Sequence, residues 1–151
     1  MMWPTVSVPH PRPRARPPAL ALLRSARQSL ADADEAATPA ARYASAHLAA
    51  LRASAAVLAT RARPTDTRRR KRPRSVWALL PEVAPALGEW ADFFAMGADK
   101  RAAAEAGLPS AVSRREADDL VRDAETYVSL VESSLAMPYA PRLPMEVPRA
   151  S

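Results

Sequence analysis

Apolar positions along this chain fall into four runs whose spacing is helical. In the first, Ala19, Leu23, Ala26, Leu30 and Ala33 step by four and three residues, which puts them on one stripe of a helix. Asp32, Asp34 and Glu35 mark its polar end. The second run opens at Thr38-Pro39, an N-cap type residue followed by proline at a position where the missing N–H costs nothing. It extends to about Arg63, and Pro64 stops it. Tyr43, His47, Leu51, Ala55 and Leu58 form its predicted stripe. Ala41, Ala44, Ala46, Ala49, Ala50, Ala53 and Ala56 make it a strong helix former, and side chains this small admit a close neighbour.

The third run carries the heaviest apolar load. Val76, Leu80, Val83, Leu87, Trp90 and Phe94 keep the same rhythm, and Trp77, Leu79, Phe93 and Met96 widen the face. Pro81 and Pro85 interrupt it, so the pattern predicts a short helical turn from Val76 to Leu80, a kink or restart, and then a main helix to about Ala106. Gly107 fits the residue just past that helix, with Pro109 beyond it. The fourth run begins with Ser113-Arg114-Arg115-Glu116, a capping box, and continues through Ala117, Val121, Ala124, Val128, Val131 and Leu135 until Pro138. No stretch alternates at period two. The predicted fold is all-α: an up-and-down bundle of four to five helices with antiparallel neighbours.

Composition narrows the picture further. The length of 151 residues points to one domain. Prolines crowd both ends, which predicts disordered tails over 1–18 and 138–151 around a helical body over 19–137. Cysteine is absent, which excludes disulfides and cysteine-ligated zinc. No run approaches the ~18 apolar residues needed to span a membrane. The proline-broken start lacks the apolar core of a secretory signal, so a cytoplasmic location is expected. No cofactor or metal is expected. Only Lys71 and Lys100 are lysines among 22 basic residues, a bias that suits a GC-rich coding sequence and weakens any argument from total charge.

The distribution of charge is more informative than its sum of +6. Arg12, Arg14 and Arg16 load the first tail. The loop over 64–74 holds Arg68, Arg69, Arg70, Lys71, Arg72 and Arg74. By contrast, the stretch from Ser75 to Met137 is acidic. The basic loop reads in two ways: as a solvated connector, or as a nucleic-acid-binding segment that attracts phosphate backbones.

Candidate chemistry is limited by inventory. Of two histidines, His10 lies among the prolines, so imidazole acid–base chemistry must use His47. His47 sits on an apolar stripe, where a core histidine bonded to a neighbour is the plainer reading. Arg42 and His47 form an Arg-x4-His spacing, about 140° apart around a helix axis. Arginine offers a permanent cation and a fork of donors for phosphate, and histidine moves a proton near neutral pH. Together they suit metal-free cleavage of RNA, with the 2′-hydroxyl attacking the adjacent phosphorus. Glu116, Asp119 and Asp123 share a face that would suit Mg2+, or simply a helix N-terminus that favours acids. Trp77, Trp90, Phe93 and Phe94 have the spacing of core residues, with base stacking as the alternative.

The stretch from Arg42 to Ala53 resembles the central helix of HEPN domains, and Pro73 to Trp77 and Arg115 to Leu120 are similar to later parts of a small standalone HEPN subfamily of actinobacterial type. The resemblance spans about Ala19 to Leu135. It implies a helical bundle, a homodimer, and in many members a metal-independent ribonuclease of toxin or defence type whose Arg-x4-6-His motif lies in a cleft between subunits; other members bind nucleotides or are inactive. Carried over, it makes Arg42 and His47 the catalytic candidates, with Tyr43 and Arg52 as auxiliary positions, and RNA, a nucleotide or an antitoxin-like protein as partner. In family nucleases the motif usually opens a late helix with a polar residue after the arginine; here it lies in the second helix, followed by Tyr43. A non-catalytic interaction or dimerisation module is the alternative reading.

Overall fold

A computed structural model describes residues 17–61, 74–108 and 110–136. The predicted tail over 138–151 lies outside the described residues, as do the basic loop, except for Arg74, and the tail over 1–18, except for Pro17 and Pro18, which open the first helix instead of belonging to a disordered tail. The described residues form α1 (Pro17–Glu35), α2 (Pro39–Arg61), α3 (Val76–Val83), a 3-10 turn (Pro85–Leu87), α4 (Gly88–Met96), α5 (Ala98–Glu105) and α6 (Arg114–Ala136), with no strand among them.

Three long helices make the frame. The helices α1 and α2 run antiparallel, stitched by Arg52 Nη1, which donates to Ser29 Oγ at 2.7 Å and to the Ser25 carbonyl. On α6, Tyr127 meets Ser54 of α2 at 2.6 Å, and Ser134 accepts from Arg61 at 2.7 Å. Residue numbers rise together along α2 and α6, so these two helices are parallel. Between their ends the chain has to climb back, and α3, the 3-10 turn, α4 and α5 form that broken return rod. This is the up-and-down bundle that the periodicity predicts.

The expected stripes on α1 and α6 are buried at every position. The stripe on α2 is corrected. Leu51, Ala55 and Leu58 are only half-buried, whereas Ala46, Ala49, Ala50, Ala53, Ala56 and Val57 are fully buried. The reason is position: α2 packs against α1 on one side and α6 on another, so it buries far more than one stripe. Alanine's small side chain is what lets both neighbours approach.

Both capping expectations hold. Glu116 N–H donates to Ser113 Oγ at 3.1 Å, and Ser113 N–H donates back to Glu116 Oε1 at 3.1 Å. Past α5, Gly107 N–H donates to the Ala104 carbonyl and Leu108 N–H to the Ala103 carbonyl, with Gly107 at φ 76°. That pairing is a Schellman motif, and its left-handed residue favours glycine. The third run departs from expectation twice. Helix α3 passes Pro81 and ends at Val83, with Ala84 (φ −145°, ψ 77°) leaving the helix so that Pro85 can open the 3-10 turn. The main helix also breaks at Gly97, which separates α4 from α5.

Candidate functional site

His47 is 1% exposed and sits in a box of aromatic rings. The Trp77 and Phe94 rings stand edge-on to it, with centroids 5.5 and 6.0 Å away. Its Nε2 lies 2.8 Å from the Phe94 carbonyl oxygen. A carbonyl only accepts, so Nε2 carries the proton and Nδ1 is left with a bare lone pair. That Nδ1 is buried without a hydrogen-bond partner. The neutral ring is the form that suits these walls.

Burial pushes the His47 imidazole below its ordinary 6.5; the Phe94 carbonyl opposes that, the Arg101 charge adds to it and Glu105 opposes it. The unfolded chain takes up its proton near 6.5, and the folded chain only at lower pH. Stability from this group is therefore complete above about pH 6.5 and is lost as pH falls from there through the folded value. Urea unfolding at pH 7.5 and 5.5, repeated on His47→Phe, checks this. The wild type is expected to lose stability over that interval, and the variant to lose markedly less.

Arg42 points elsewhere. Its Nε donates to the Ala33 carbonyl at the end of α1, at 3.2 Å, and its Nη1 pairs with Asp118 of α6 at 2.5 Å. It lines a cleft of about 350 Å3 with Thr38, Arg114 and Asp118, whereas His47 borders a different cleft. The structure thus does not bring Arg42 and His47 together. Their turn around the helix axis separates them, and each is held by partners of its own. Arg52 is taken up by Ser25 and Ser29. Arg74 is exposed and pairs with Glu82 at 2.5 Å, while Arg68, Arg69, Arg70, Lys71 and Arg72 lie outside the described residues.

Tyr43 is the one predicted site residue that stays near His47. Both border a cleft of about 220 Å3 with Phe93, Met96, Gly97, Lys100 and Leu120. The Tyr43 hydroxyl lies 2.7 Å from where a Cβ on Gly97 would stand, so a larger residue there would have to displace the Tyr43 ring. Burial raises the Tyr43 phenol above its usual 10, against the pull of Lys100. Sequence reasoning did not single out Gly97 or Lys100. The signal was the lone glycine inside a run of good helix formers.

The acidic set on α6 is dispersed among separate tasks. Glu116 caps its own helix and pairs with Lys100, and Asp119 pairs with Arg122. Among the described residues no group of three His, Asp or Glu is placed to hold a metal ion, and no helix is long and apolar enough to cross a membrane. The aromatic expectation divides. Trp77 and Phe94 are buried and Trp90 is half-buried, but Phe93 is exposed.

A model of a family described as SAV_6107-like HEPN matches residues 33–132, from the last turn of α1 through most of α6. No curated protein and no solved structure matches the chain.

Proposed function

Since this chain belongs to the SAV_6107-like HEPN family, we propose that it works as a non-catalytic binding module of the HEPN type, and not as a ribonuclease. One observation carries this reading: the only histidine on the helical body is 1% exposed among aromatic rings, with Nε2 committed to the Phe94 carbonyl. General acid–base catalysis needs a group within hydrogen-bond reach of the proton it moves. To reach a 2′-hydroxyl, His47 would have to leave its aromatic box, and Arg42 would have to give up Ala33 and Asp118.

A second reading concerns affinity alone. Eight basic residues against Asp66 between Arg61 and Arg74 favour contact with phosphate backbones. One experiment addresses both. Purified chain is incubated with single-stranded RNA in EDTA, beside His47→Ala and Arg42→Ala, and RNA affinity is followed across salt. No cleavage by any of the three is expected. Cleavage by the wild type that both variants lose would sink the non-catalytic reading. An affinity that falls steeply with salt supports phosphate contact, and a flat response removes it.

A further inference from the structure

The cleft beside Tyr43 opens onto a surface that a folded chain would ordinarily keep covered. On α4, Met96 is 85% exposed and Phe93 43% exposed. Leu120 of α6, Gly97, Tyr43 and His47 line the same cleft. Large apolar side chains clustered at a concave site mark an interaction surface more often than chance exposure does.

Its unpaired charges are acidic. Glu89 stands one turn before Phe93 and Asp92 one turn before Met96, so both share that stripe of α4, and the exposed Asp99 opens α5 just past Gly97. Asp123 lies three residues after Leu120 and four before Tyr127, on the stripe of α6 that faces the return rod. Burial and the neighbouring Asp119 raise the Asp123 carboxyl. The cation at the rim, Lys100, is paired with Glu116. None of Glu89, Asp92, Asp99 and Asp123 has an ion-pair partner among the described residues.

Three classes of occupant fit this surface poorly. A nucleic acid would bring phosphates to unpaired carboxylates. A second copy joined patch to patch by a two-fold axis would set the same carboxylates against each other, because such an interface is self-complementary by symmetry. A small molecule is disfavoured by size, since ligand pockets run to about 300–1,000 Å3 and this cleft holds about 220 Å3. That volume suits one large apolar side chain inserted from a partner.

Resting on the binding-module reading above, we propose that the α4–α6 groove docks a basic segment of a partner protein, inserting a large apolar side chain between Met96 and Leu120 while flanking arginines or lysines meet Asp92 and Asp123. The mode is a helix or strand laid into a groove, with an anchor giving affinity and the rim giving specificity.

The test uses the full chain and three labelled helical peptides of about 18 residues. One has leucine anchors with arginine between them, one has the same anchors with glutamate, and one has arginine with serine at the anchor positions. Fluorescence anisotropy is expected to show the first binding roughly tenfold or more tightly than either other peptide. Phe93→Ser with Met96→Ser, both exposed and so compatible with folding by circular dichroism, is expected to lose that advantage. Asp92→Asn with Asp123→Asn is expected to weaken binding severalfold and to flatten its salt dependence. Equal binding of the glutamate peptide, or undiminished binding by the Phe93→Ser, Met96→Ser variant, overturns the proposal. So does a wild-type dimer in sedimentation that this variant breaks, because the groove would then be covered by a second copy. RNA cleavage is scored separately, so failure of the groove and failure of the non-catalytic reading remain distinguishable.

Discussion

Phe94→Ala is expected to cost about 3–5 kcal/mol of folding stability, the usual range for emptying a buried phenylalanine site. Phe94 is 1% exposed and joins the return rod to both parallel helices. Its ring meets those of His47, Trp77, Trp90, Phe93 and Tyr127 at centroid distances from 5.1 to 6.0 Å. Because α4 is only nine residues long, it has little helical stability of its own and depends on this anchor. Thermal unfolding should show a Tm lower by roughly 10 °C or more. Phe93→Ala, one residue away but exposed, should cost less than about 1 kcal/mol. A small effect at Phe94 would mean that the aromatic cluster does not hold the rod down.

Ala50→Leu is expected to destabilise by about 1–3 kcal/mol, through overpacking and not through a lost contact. Ala50 is fully buried and lies one turn before Ser54, whose hydroxyl meets Tyr127 of α6. There is no room for an isobutyl group where α2 and α6 approach this closely, so the helices must separate. Separation would also strain the Ser54–Tyr127 hydrogen bond, whose loss leaves buried hydroxyls unpaired. Ala59→Leu, on an exposed position of the same helix, should stay within about 0.5 kcal/mol of wild type. Urea titration gives the comparison directly, as a shift of midpoint at unchanged slope. Equal tolerance at both positions would contradict the close α2–α6 packing.

These two substitutions also show how unevenly the bundle could be read from sequence. The apolar stripes of α1 and α6 could be read correctly because each helix buries a single face. On α2 the reading chose the larger side chains, Leu51 and Leu58, yet the helix buries its alanines. Size predicts burial when one neighbour is present. Between two neighbours, closeness of approach selects the smallest residues. The same limit applies to the third run, where the expected apolar face includes Phe93 and Met96 but both are exposed, because α4 buries the side that carries Ala91 and Phe94 and these two lie around the helix from it.

The candidate site divides along similar lines. That His47 is the sole imidazole on the body followed from inventory alone, and its angular separation from Arg42 followed from helical spacing. Helix periodicity, the capping box of α6 and the glycine that ends α5 are local, since each depends on residues within one or two turns and so is written in consecutive positions. The Phe94 carbonyl that holds His47, the Ala33 and Asp118 partners that hold Arg42, and the acidic rim around Met96 are contacts between segments far apart in the chain. No local pattern specifies those partners. They were decided when the parallel approach of α2 and α6 set where each remaining side chain could go.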